Sequence, residues 1–363
     1  MRNIARKEIF KINPYVPGKP IEEVKRELGL RDVIKLASNE NPLPPSREAL
    51  RAAQKALRSA NRYPDGGCFY LKNALAASLG VKPDNLIIGN GSDELIILAL
   101  RAFVKKGDEV IIAKPTFLIY EIASKISGAK IKFVPVKDFR YDIPKMASLI
   151  TKKTKLVFVA NPDNPLGTYV TKKEIELLVK RAPKSAVLFF DEAYYEFARM
   201  RKDYPRTLKY LKAKGKSVII ARTFSKIYSL AGLRVGYAIA KEEIIDCLNR
   251  ACEPFNVNSI AQAAAMAALR DKGHVSKSLK LIEKGKSYIC SELDLLGIKY
   301  IPSVTNFVVI NIGKDAKKVY KKLMSRGVIV RGMRAWKLNN FIRVTVGTMS
   351  ENRRFIRVLK EVL

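Results

Sequence analysis

The sequence predicts an α/β protein with a large, doubly wound and mostly parallel β-sheet domain and a smaller α+β domain. Three observations predict this fold class. Short apolar runs alternate with segments of helical spacing through the middle of the chain, and the C-terminal third mixes short strands with long helices. The chain also has 363 residues and 48% hydrophobic content, which is enough for two cores.

The alternation in the middle of the chain predicts the large sheet. Its apolar runs are short, and most are rich in β-branched or aromatic residues, which is typical of strands. They occupy residues 86–88, 110–112, 131–136, 156–159, 187–190, 218–221 and 235–240. Segments of helical spacing lie between several of them, at 93–104, 117–127 and 171–182. Strands that alternate with helices favour a parallel, doubly wound sheet.

The C-terminal third predicts the smaller domain. We expect a long helix over residues 260–296, strands over 306–312, 328–331 and 341–346, and helices that end near 326 and cover 350–363. The predicted domain division is 1–39 for an N-terminal arm with part of the small domain, 40–245 for the large domain and 246–363 for the small C-terminal domain.

Composition argues against several classes of function. Four cysteines are scattered without a Cys-x-x-Cys pair, which disfavours zinc clusters, redox motifs and a disulfide framework and favours a reducing cytoplasm. The one histidine, His274, is expected in an exposed polar turn, so neither a Ser-His-Asp hydrolase nor a multi-histidine metal site is expected. No metal site is predicted.

Neither a membrane segment nor an export signal is expected. The most apolar long stretch, 95–104, is broken by Arg101 and is far shorter than the ~20 residues that span a bilayer. Residues 1–12 lack the apolar core of a secretory signal. The expectation is a soluble, cytoplasmic protein.

The net charge of +34 raises nucleic-acid binding as an alternative of a different class. However, lysine pairs such as Lys105-Lys106 and Lys152-Lys153 are spread along the whole chain rather than gathered in one block. Dispersed charge is typical of a solvated surface, so it favours solubility and attraction of anionic small molecules over nucleic acid.

Polar residues follow several predicted strands at their carboxyl ends, where open parallel sheets bind ligands. Each has an ordinary structural explanation on its own: a glycine turn, a proline turn, a helix cap or a surface lysine. Their convergence at one edge of one sheet favours a binding site. The residues are Gly91, Ser92, Asp93, Asn164, Asp191, Tyr194, Thr223, Ser225, Lys226 and Arg234.

This combination is typical of pyridoxal 5'-phosphate chemistry. Lys226 would hold the cofactor aldehyde as a Schiff base and, once freed, shuttle the substrate α-proton. Asp191 would keep the pyridine nitrogen protonated, while Tyr194 and Asn164 would hydrogen-bond the ring oxygen. The residues that could surround the cofactor phosphate are Gly91, Ser92, Asp93, Thr223, Ser225 and Arg234.

Motifs along nearly the whole chain carry a family resemblance. They are Asn13-Pro14-Tyr15, Ser38-Asn39-Glu40-Asn41-Pro42, Asn61-Arg62-Tyr63-Pro64, Gly91-Ser92-Asp93-Glu94, Asp191-Glu192-Ala193-Tyr194, Ser225-Lys226, Gly232-Leu233-Arg234 and Arg343-Val344-Thr345-Val346-Gly347. Each is modest, but together they are highly specific. The sequence resembles the fold-type I, class II pyridoxal-phosphate-dependent aminotransferases, and within them most closely the histidinol-phosphate aminotransferases.

The resemblance implies roles for further residues. Tyr63 would reach the cofactor phosphate of the neighbouring subunit, which implies a homodimer with shared active sites. Phe117 would stack on the pyridine ring. The substrate would be held by Tyr15, Asn164, Arg331 and Arg343. The two arginines suit its anionic end, because a planar guanidinium binds a phosphate or a carboxylate through paired hydrogen bonds.

The reaction implied by the resemblance is amino transfer between L-histidinol phosphate and 2-oxoglutarate in histidine biosynthesis, which forms imidazole-acetol phosphate and glutamate. Two enzymatic alternatives stay open: an aromatic amino acid aminotransferase and a threonine-phosphate decarboxylase. A decarboxylase would release carbon dioxide without needing a keto acid, so dependence on a keto acid separates it from the two aminotransferases.

The sequence departs from the family pattern at two places near the site. The family's Asn-Asn-Pro-Thr-Gly is here Asp163-Asn164-Pro165-Leu166-Gly167, and Phe117 stands where a tyrosine is frequent. The stacking role of Phe117 does not need the hydroxyl, and neither departure touches the expected catalytic set.

Overall fold

The computed structural model describes residues 4–6, 8–313 and 316–363. Its strands are β1 (Ile34–Lys35), β2 (Leu86–Gly89), β3 (Glu109–Lys114), β4 (Lys130–Pro135), β5 (Thr154–Ala160), β6 (Val187–Asp191), β7 (Ser217–Thr223), β8 (Gly236–Ala240), β9 (Tyr300–Ile301), β10 (Phe307–Asn311), β11 (Val328–Ile329), β12 (Arg331–Gly332) and β13 (Phe341–Thr345). Its helices are α1 (Ile21–Leu28), α2 (Arg47–Leu57), α3 (Phe69–Leu79), α4 (Ser92–Phe103), α5 (Leu118–Ile126), α6 (Ile143–Ser148), α7 (Lys172–Arg181), α8 (Tyr195–Ala198), α9 (Glu242–Ala251), α10 (Ser259–Arg270), α11 (Lys272–Leu295), α12 (Ala316–Ser325) and α13 (Met349–Val362). Short 3₁₀ helices lie at Ile9–Lys11, Pro83–Asn85, Thr207–Lys212, Ala231–Leu233 and Arg334–Trp336.

The largest sheet confirms the predicted α/β fold. Within the described residues it has seven strands in the order β2-β8-β7-β6-β5-β3-β4, and each strand coincides with one of the predicted apolar runs. Strand β8 runs antiparallel to β2 and β7, and the remaining pairs are parallel. The sheet is therefore mostly parallel, as expected.

Three strands of the sheet are buried along their whole length because the sheet is covered on both faces. Every residue of β2, β6 and β8 is buried, and all but Asp191 of β6 are apolar or glycine. Since successive side chains of a strand point to opposite faces, complete burial requires packing on each side. The fully buried rings of Phe158, Phe189 and Phe190 belong to this core.

A second, smaller sheet lies in the C-terminal third. Its strands pair antiparallel in the order β12-β13-β10-β9. Together with α11, α12 and α13 they form a separate buried cluster that includes Ile289, Leu323 and Phe355. This arrangement agrees with the expected α+β character of the region.

Residues 34–39 are hydrogen-bonded to this C-terminal region. Strand β1 pairs in parallel with β11, and Leu36 N donates to Ile329 O at 2.7 Å. Asn39 N donates to Thr345 Oγ1 at 2.9 Å. The side chain of Leu36 lies in the C-terminal cluster. The segment that precedes the large domain is thus attached to the C-terminal region: it forms a two-stranded sheet with β11 and is hydrogen-bonded to the end of β13.

The predicted domain division stays a prediction, and the packing favours a later boundary. Ile244 and Leu248 of α9, with Ala261 and Ala265 of α10, lie in the core of the large sheet. Helix α10 also packs against α2 and α3. A boundary near Asp271, rather than after residue 245, would separate the two buried clusters.

Three details of the C-terminal third differ from expectation. The helix expected over 260–296 is two helices, because Asp271 ends α10 and caps α11 by accepting a hydrogen bond from His274 N at 2.8 Å. His274 therefore lies in the first turn of α11 and not in an exposed turn, with Nε2 at 3.1 Å from Ser229 Oγ. The strand expected over 328–331 is divided between β11 and β12, which pair in different sheets.

In the described part of the chain, no helix is both long enough and apolar enough to cross a membrane.

At Gly236, the backbone of β8 lies very close to the backbone of β7 and of the start of α4. A Cβ atom there would lie 2.8 Å from Arg222 O and 2.9 Å from Ser92 N, both backbone atoms, whereas a Cβ at Gly232 would meet nothing within 4 Å. We expect Gly236→Ala to lower the free energy of unfolding by ~1–3 kcal/mol because of overpacking. Gly232→Ala is the matched control and should change it little. Denaturant titration of both variants measures the difference, and equal stabilities would contradict this account.

Candidate active site

Most of the predicted site residues line one cavity of about 220 Å³ at the carboxyl ends of β5, β6 and β7. The cavity is bordered by the smaller sheet on one side and by the N-terminal segment around Tyr15. The predicted residues that line it are Tyr15, Ser92, Asp93, Phe117, Asn164, Asp191, Tyr194, Thr223, Ser225, Lys226, Arg234, Arg331 and Arg343. Gly91 and Tyr63 do not line it.

Lys226 follows β7 and projects its amine into the cavity. Its Nζ donates to Ser38 O at 3.4 Å and lies 5.7 Å from the centroid of the Tyr194 ring. Burial, helped by the nearby charge of Arg343, lowers the pKa of Lys226 to about 8. A substantial fraction of this amine is therefore neutral and nucleophilic at mildly alkaline pH.

Asp191 is the last residue of β6 and is buried. Its Oδ2 accepts a hydrogen bond from Tyr120 Oη at 2.6 Å, and its Oδ1 accepts one from Ala193 N at 3.1 Å. Burial raises the pKa of Asp191 to about 6. Within the described ranges this carboxylate has no ion-pair partner. A buried carboxylate of this kind fits a cationic group of a ligand.

Tyr194 lies three residues beyond Asp191 and is held by an amide that the sequence argument did not assign to the site. Asn39 Nδ2 donates to Tyr194 Oη at 2.8 Å. Burial raises the pKa of Tyr194 to about 12, so the phenol keeps its proton at neutral pH. Asn164 also reaches the cavity, and its Oδ1 accepts a hydrogen bond from Arg343 Nη1.

The start of α4 and the segment after β7 form a polar cradle. Thr223 Oγ1 donates to Ser225 Oγ at 3.0 Å, Arg234 Nη1 donates to Ser225 Oγ at 3.3 Å, and Arg234 Nη2 lies 3.3 Å from Asp93 Oδ2. Gly91 caps α4 with φ of 80°, and a Cβ there would collide with the Arg234 guanidinium. Free backbone N–H groups, hydroxyls and a guanidinium are the groups that bind a phosphate.

Arg331 and Arg343 supply two buried positive charges at the opposite side of the cavity. Arg331 Nη2 donates to Val16 O at 2.7 Å, and Arg343 Nη2 donates to Ala37 O at 3.1 Å. Burial lowers the pKa of Arg343 to about 10. Among the described residues neither arginine is paired with a carboxylate, and the buried Nε of Arg343 has no hydrogen-bond partner. Such a pair fits an anionic ligand.

The departures at Asp163 and Leu166 are accommodated within the loop that carries Asn164. Asp163 Oδ1 accepts hydrogen bonds from Tyr141 Oη at 2.7 Å and Thr116 Oγ1 at 2.9 Å, and Oδ2 accepts from Leu166 N at 3.1 Å. Burial raises the pKa of Asp163 to about 6. The Leu166 side chain is fully buried in an apolar cluster that includes Tyr194.

A buried ion pair lies behind the cavity and was not predicted. Arg222 Nε donates to Glu192 Oε2 at 2.9 Å, and the Arg222 guanidinium carbon lies 3.6 Å from the centroid of the Tyr195 ring. Glu192 also accepts a hydrogen bond from Thr207 Oγ1. Because Glu192 follows β6 and Arg222 belongs to β7, the pair joins the two strand ends that carry Asp191 and Lys226.

Tyr63 is 83% exposed and lies outside the cavity. Its ring stacks on Phe255 with 4.8 Å between centroids and 21° between planes. Within a single chain this phenol contributes nothing to the cavity, so its expected role depends on a second subunit.

Comparisons with known proteins agree with the fold of the chain. The chain belongs to the family "Aminotransferase class I and II", whose model matches residues 31–359. It is an aminotransferase of fold-type I.

Relatives within the family are more specific. The chain is 51% identical over 359 residues to the histidinol-phosphate aminotransferase of Moorella thermoacetica, covering 99% of this chain and 93% of the relative. It is 46% identical to histidinol-phosphate aminotransferase 2 of Carboxydothermus hydrogenoformans, covering 99% of each. Among solved structures, the histidinol-phosphate aminotransferase from Sinorhizobium meliloti in complex with pyridoxal-5'-phosphate matches with a TM-score of 0.89 and 29% identity, over 99% of this chain and 97% of that one.

The buried carboxyl of Asp191 predicts a pH dependence of stability. Its pKa is raised from 3.8 to about 6, so between these values the folded chain holds a proton that the unfolded chain has lost. The free energy of unfolding of the ligand-free protein should therefore fall as pH rises through this window. Asp191→Asn should reduce the fall by on the order of 2 kcal/mol, measured by urea unfolding at pH 4 to 7.

Asp138→Asn is the matched control for this measurement, because Asp138 is exposed and its φ of 48° is one that asparagine tolerates. It should leave the pH dependence unchanged. An unaltered slope in Asp191→Asn would show that the buried carboxyl does not titrate in this window.

Proposed function

We propose that this chain transfers an amino group between L-histidinol phosphate and 2-oxoglutarate with pyridoxal 5'-phosphate as cofactor. The observation that carries the proposal is the pair of buried arginines, Arg331 and Arg343, that lack a carboxylate partner within the described residues and border the same cavity as Lys226 and Asp191. The names of the most similar relatives support the same substrate.

The residues of the cavity fit the cofactor. When bound, pyridoxal 5'-phosphate supplies an aldehyde that exchanges between amino groups and a cationic ring that withdraws electrons from the substrate α-carbon. Asp191 would hold the proton on the ring nitrogen, and Tyr194 with Asn164 would hydrogen-bond the ring oxygen. Phe117 would cover the ring. The polar cradle, which comprises Gly91, Ser92, Asp93, Thr223, Ser225 and Arg234, would hold the phosphate.

Lys226 is proposed as the residue that binds the cofactor covalently and moves the substrate α-proton. The pKa of its Nζ is lowered to about 8, so the amine can both release and accept a proton close to neutral pH, as a general base must. Tyr120 and the backbone of Ala193 each donate one hydrogen bond to Asp191 and so fix its orientation, and each carboxylate oxygen keeps a lone pair for a ligand.

The arginine pair is proposed to bind both substrates in turn. Histidinol phosphate presents a phosphate dianion and 2-oxoglutarate presents carboxylates, and a guanidinium binds each through paired hydrogen bonds. Tyr15, which lies beside Arg331 with 5.7 Å from its ring centroid to the guanidinium carbon, would border the same end of the substrate. Using one anion site for donor and acceptor suits a reaction with two successive half-reactions.

A homodimer with shared active sites, located in the cytoplasm, is part of the proposal. Two pairs of aromatic side chains in mutual contact, Tyr63 with Phe255 and Phe69 with Tyr70, are exposed in the single chain, which favours burial against a second subunit. In such a dimer Tyr63 would reach the cofactor phosphate of the other subunit. Cys68, Cys247, Cys252 and Cys290 are free thiols, which agrees with a reducing compartment.

Lys226→Ala tests the catalytic assignment. The wild-type protein, supplied with L-histidinol phosphate and 2-oxoglutarate, should form glutamate, and Lys226→Ala should lower this rate by at least ~1,000-fold because the proton-transfer base is lost. Lys202→Ala, at an exposed lysine, is the control and should keep the wild-type rate. Circular dichroism checks that each variant is folded.

Near-normal turnover by Lys226→Ala would refute the catalytic assignment. Carbon dioxide release without a keto acid would identify a decarboxylase instead, and faster transfer from phenylalanine or tyrosine than from histidinol phosphate would identify an aromatic aminotransferase.

Mixing two inactive variants tests the shared active site. Tyr63→Asp places a negative charge where the phosphate would be, so it and Lys226→Ala should each be inactive as homodimers. After dissociation and random reassociation, mixed dimers hold one intact site, and activity should recover to about a quarter of wild type. Recovery is measured by glutamate formation. Full activity of Tyr63→Asp alone, or no recovery on mixing, would exclude a shared site.

A further inference from the structure

Trp336, the one tryptophan of the sequence, lies in the 3₁₀ turn between β12 and β13. Its side chain is 7% exposed and lines the cavity next to Arg331 and Arg343. None of the cofactor-binding or substrate-binding roles described above belongs to Trp336.

Trp336 contacts both arginines through the face of its ring. The guanidinium carbon of Arg331 lies 5.4 Å from the indole centroid, and that of Arg343 lies 5.8 Å from it. Each arginine also lies over a second ring, Tyr15 at 5.7 Å for Arg331 and Phe307 at 5.1 Å for Arg343. The indole is the ring that the two cations share.

The edge of the same ring is bonded to the large domain. Trp336 Nε1 donates to Thr116 O at 2.7 Å, and Thr116 directly precedes Phe117, the residue expected to cover the cofactor ring. The indole therefore joins the strands that carry the arginines to the turn that carries the stacking ring.

An arginine that packs against the face of an aromatic ring keeps its N–H donors available, whereas an arginine paired with a carboxylate does not. A carboxylate binds the N–H groups at the edge of a guanidinium and so consumes the donors that a substrate anion needs. A π face attracts the cation while leaving those edge donors free. It also offsets part of the repulsion between the two like charges, which face each other without a carboxylate among the described residues.

We propose that Trp336 is a positioning residue that fixes the separation and orientation of the Arg331 and Arg343 guanidiniums for the substrate anion and aligns them with Phe117. The inference rests on the proposed function, since it assigns a residue to the anion site of that reaction. It concerns binding of the anionic end, so it predicts an effect on KM for both substrates and little effect on kcat.

Two variants separate the ring from the hydrogen bond. Trp336→Leu removes both, and we expect KM for histidinol phosphate and for 2-oxoglutarate to rise about tenfold, the loss of ~1.4 kcal/mol that two weakened cation–π contacts allow. Trp336→Phe keeps an aromatic face and should raise both KM values by only about threefold. In both variants kcat should stay within about threefold of wild type.

Arg334→Ala is the matched control, because Arg334 belongs to the same 3₁₀ turn but is exposed and outside the cavity. It should leave both KM values unchanged. A fall in kcat at unchanged KM, or equal damage from Trp336→Phe and Trp336→Leu, would overturn the proposal. If Trp336→Leu does not fold, as judged by circular dichroism, the comparison of Trp336→Phe with Arg334→Ala decides it.

A binding measurement on the wild-type holoenzyme distinguishes failure of this inference from failure of the proposed function. Since all tryptophan emission comes from Trp336, titration with inorganic phosphate should change the emission saturably, and Arg343→Ala should abolish the change. A saturable change in an enzyme that does not use histidinol phosphate would uphold the inference and reject the substrate. An emission that does not respond to phosphate in an enzyme that does use histidinol phosphate would reject the inference alone.

Discussion

The active site depends on the common register of β5, β6 and β7. Ala160, the last residue of β5, is paired with Asp191, the last residue of β6, and Asp191 is paired with Ala221, two residues before the end of β7. The three parallel strands therefore end close together at one edge of the sheet. The loops that leave this edge carry Asn164, Tyr194 and Lys226, and the buried ion pair between Glu192 and Arg222 joins two of the strand ends. A shift of one residue would turn every side chain of a strand to the other face of the sheet. Register therefore fixes both the core and the cavity.

The parts of the site that follow strand ends could be predicted from the sequence, whereas those that depend on contacts between distant segments could not. Apolar runs locate the strands, and parallel pairing brings Asp191 and Lys226 to one edge. Arg331 and Arg343 lie on a different sheet, so only family resemblance indicated them. Asn39, Tyr120 and Trp336 were missed because each is placed in the site by a hydrogen bond to a residue more than 70 positions away.

The prediction of one continuous helix over 260–296 was wrong because a single side-chain contact divides it. Hydrophobic spacing persists through Asp271, and the break there depends on one side chain that accepts a hydrogen bond from the backbone of His274. A cap of this kind interrupts the helix without changing the apolar pattern on either side. The departure at Asp163 likewise depends on distant residues, because Tyr141 and Thr116 donate the hydrogen bonds that satisfy its carboxylate.

The pairing of β1 with β11 connects residues 34–39, which contact the active site, to the C-terminal region. This segment is hydrogen-bonded to β11 and β13, so it is attached to the C-terminal region although it precedes the large domain in sequence. It carries Ser38 O, which accepts from Lys226, and Asn39, which donates to Tyr194. Arg343 lies on the same strand, β13, to which this segment is bonded. The arginine at the far end of the cavity and the contacts of the reacting amine are therefore connected through one short stretch of backbone.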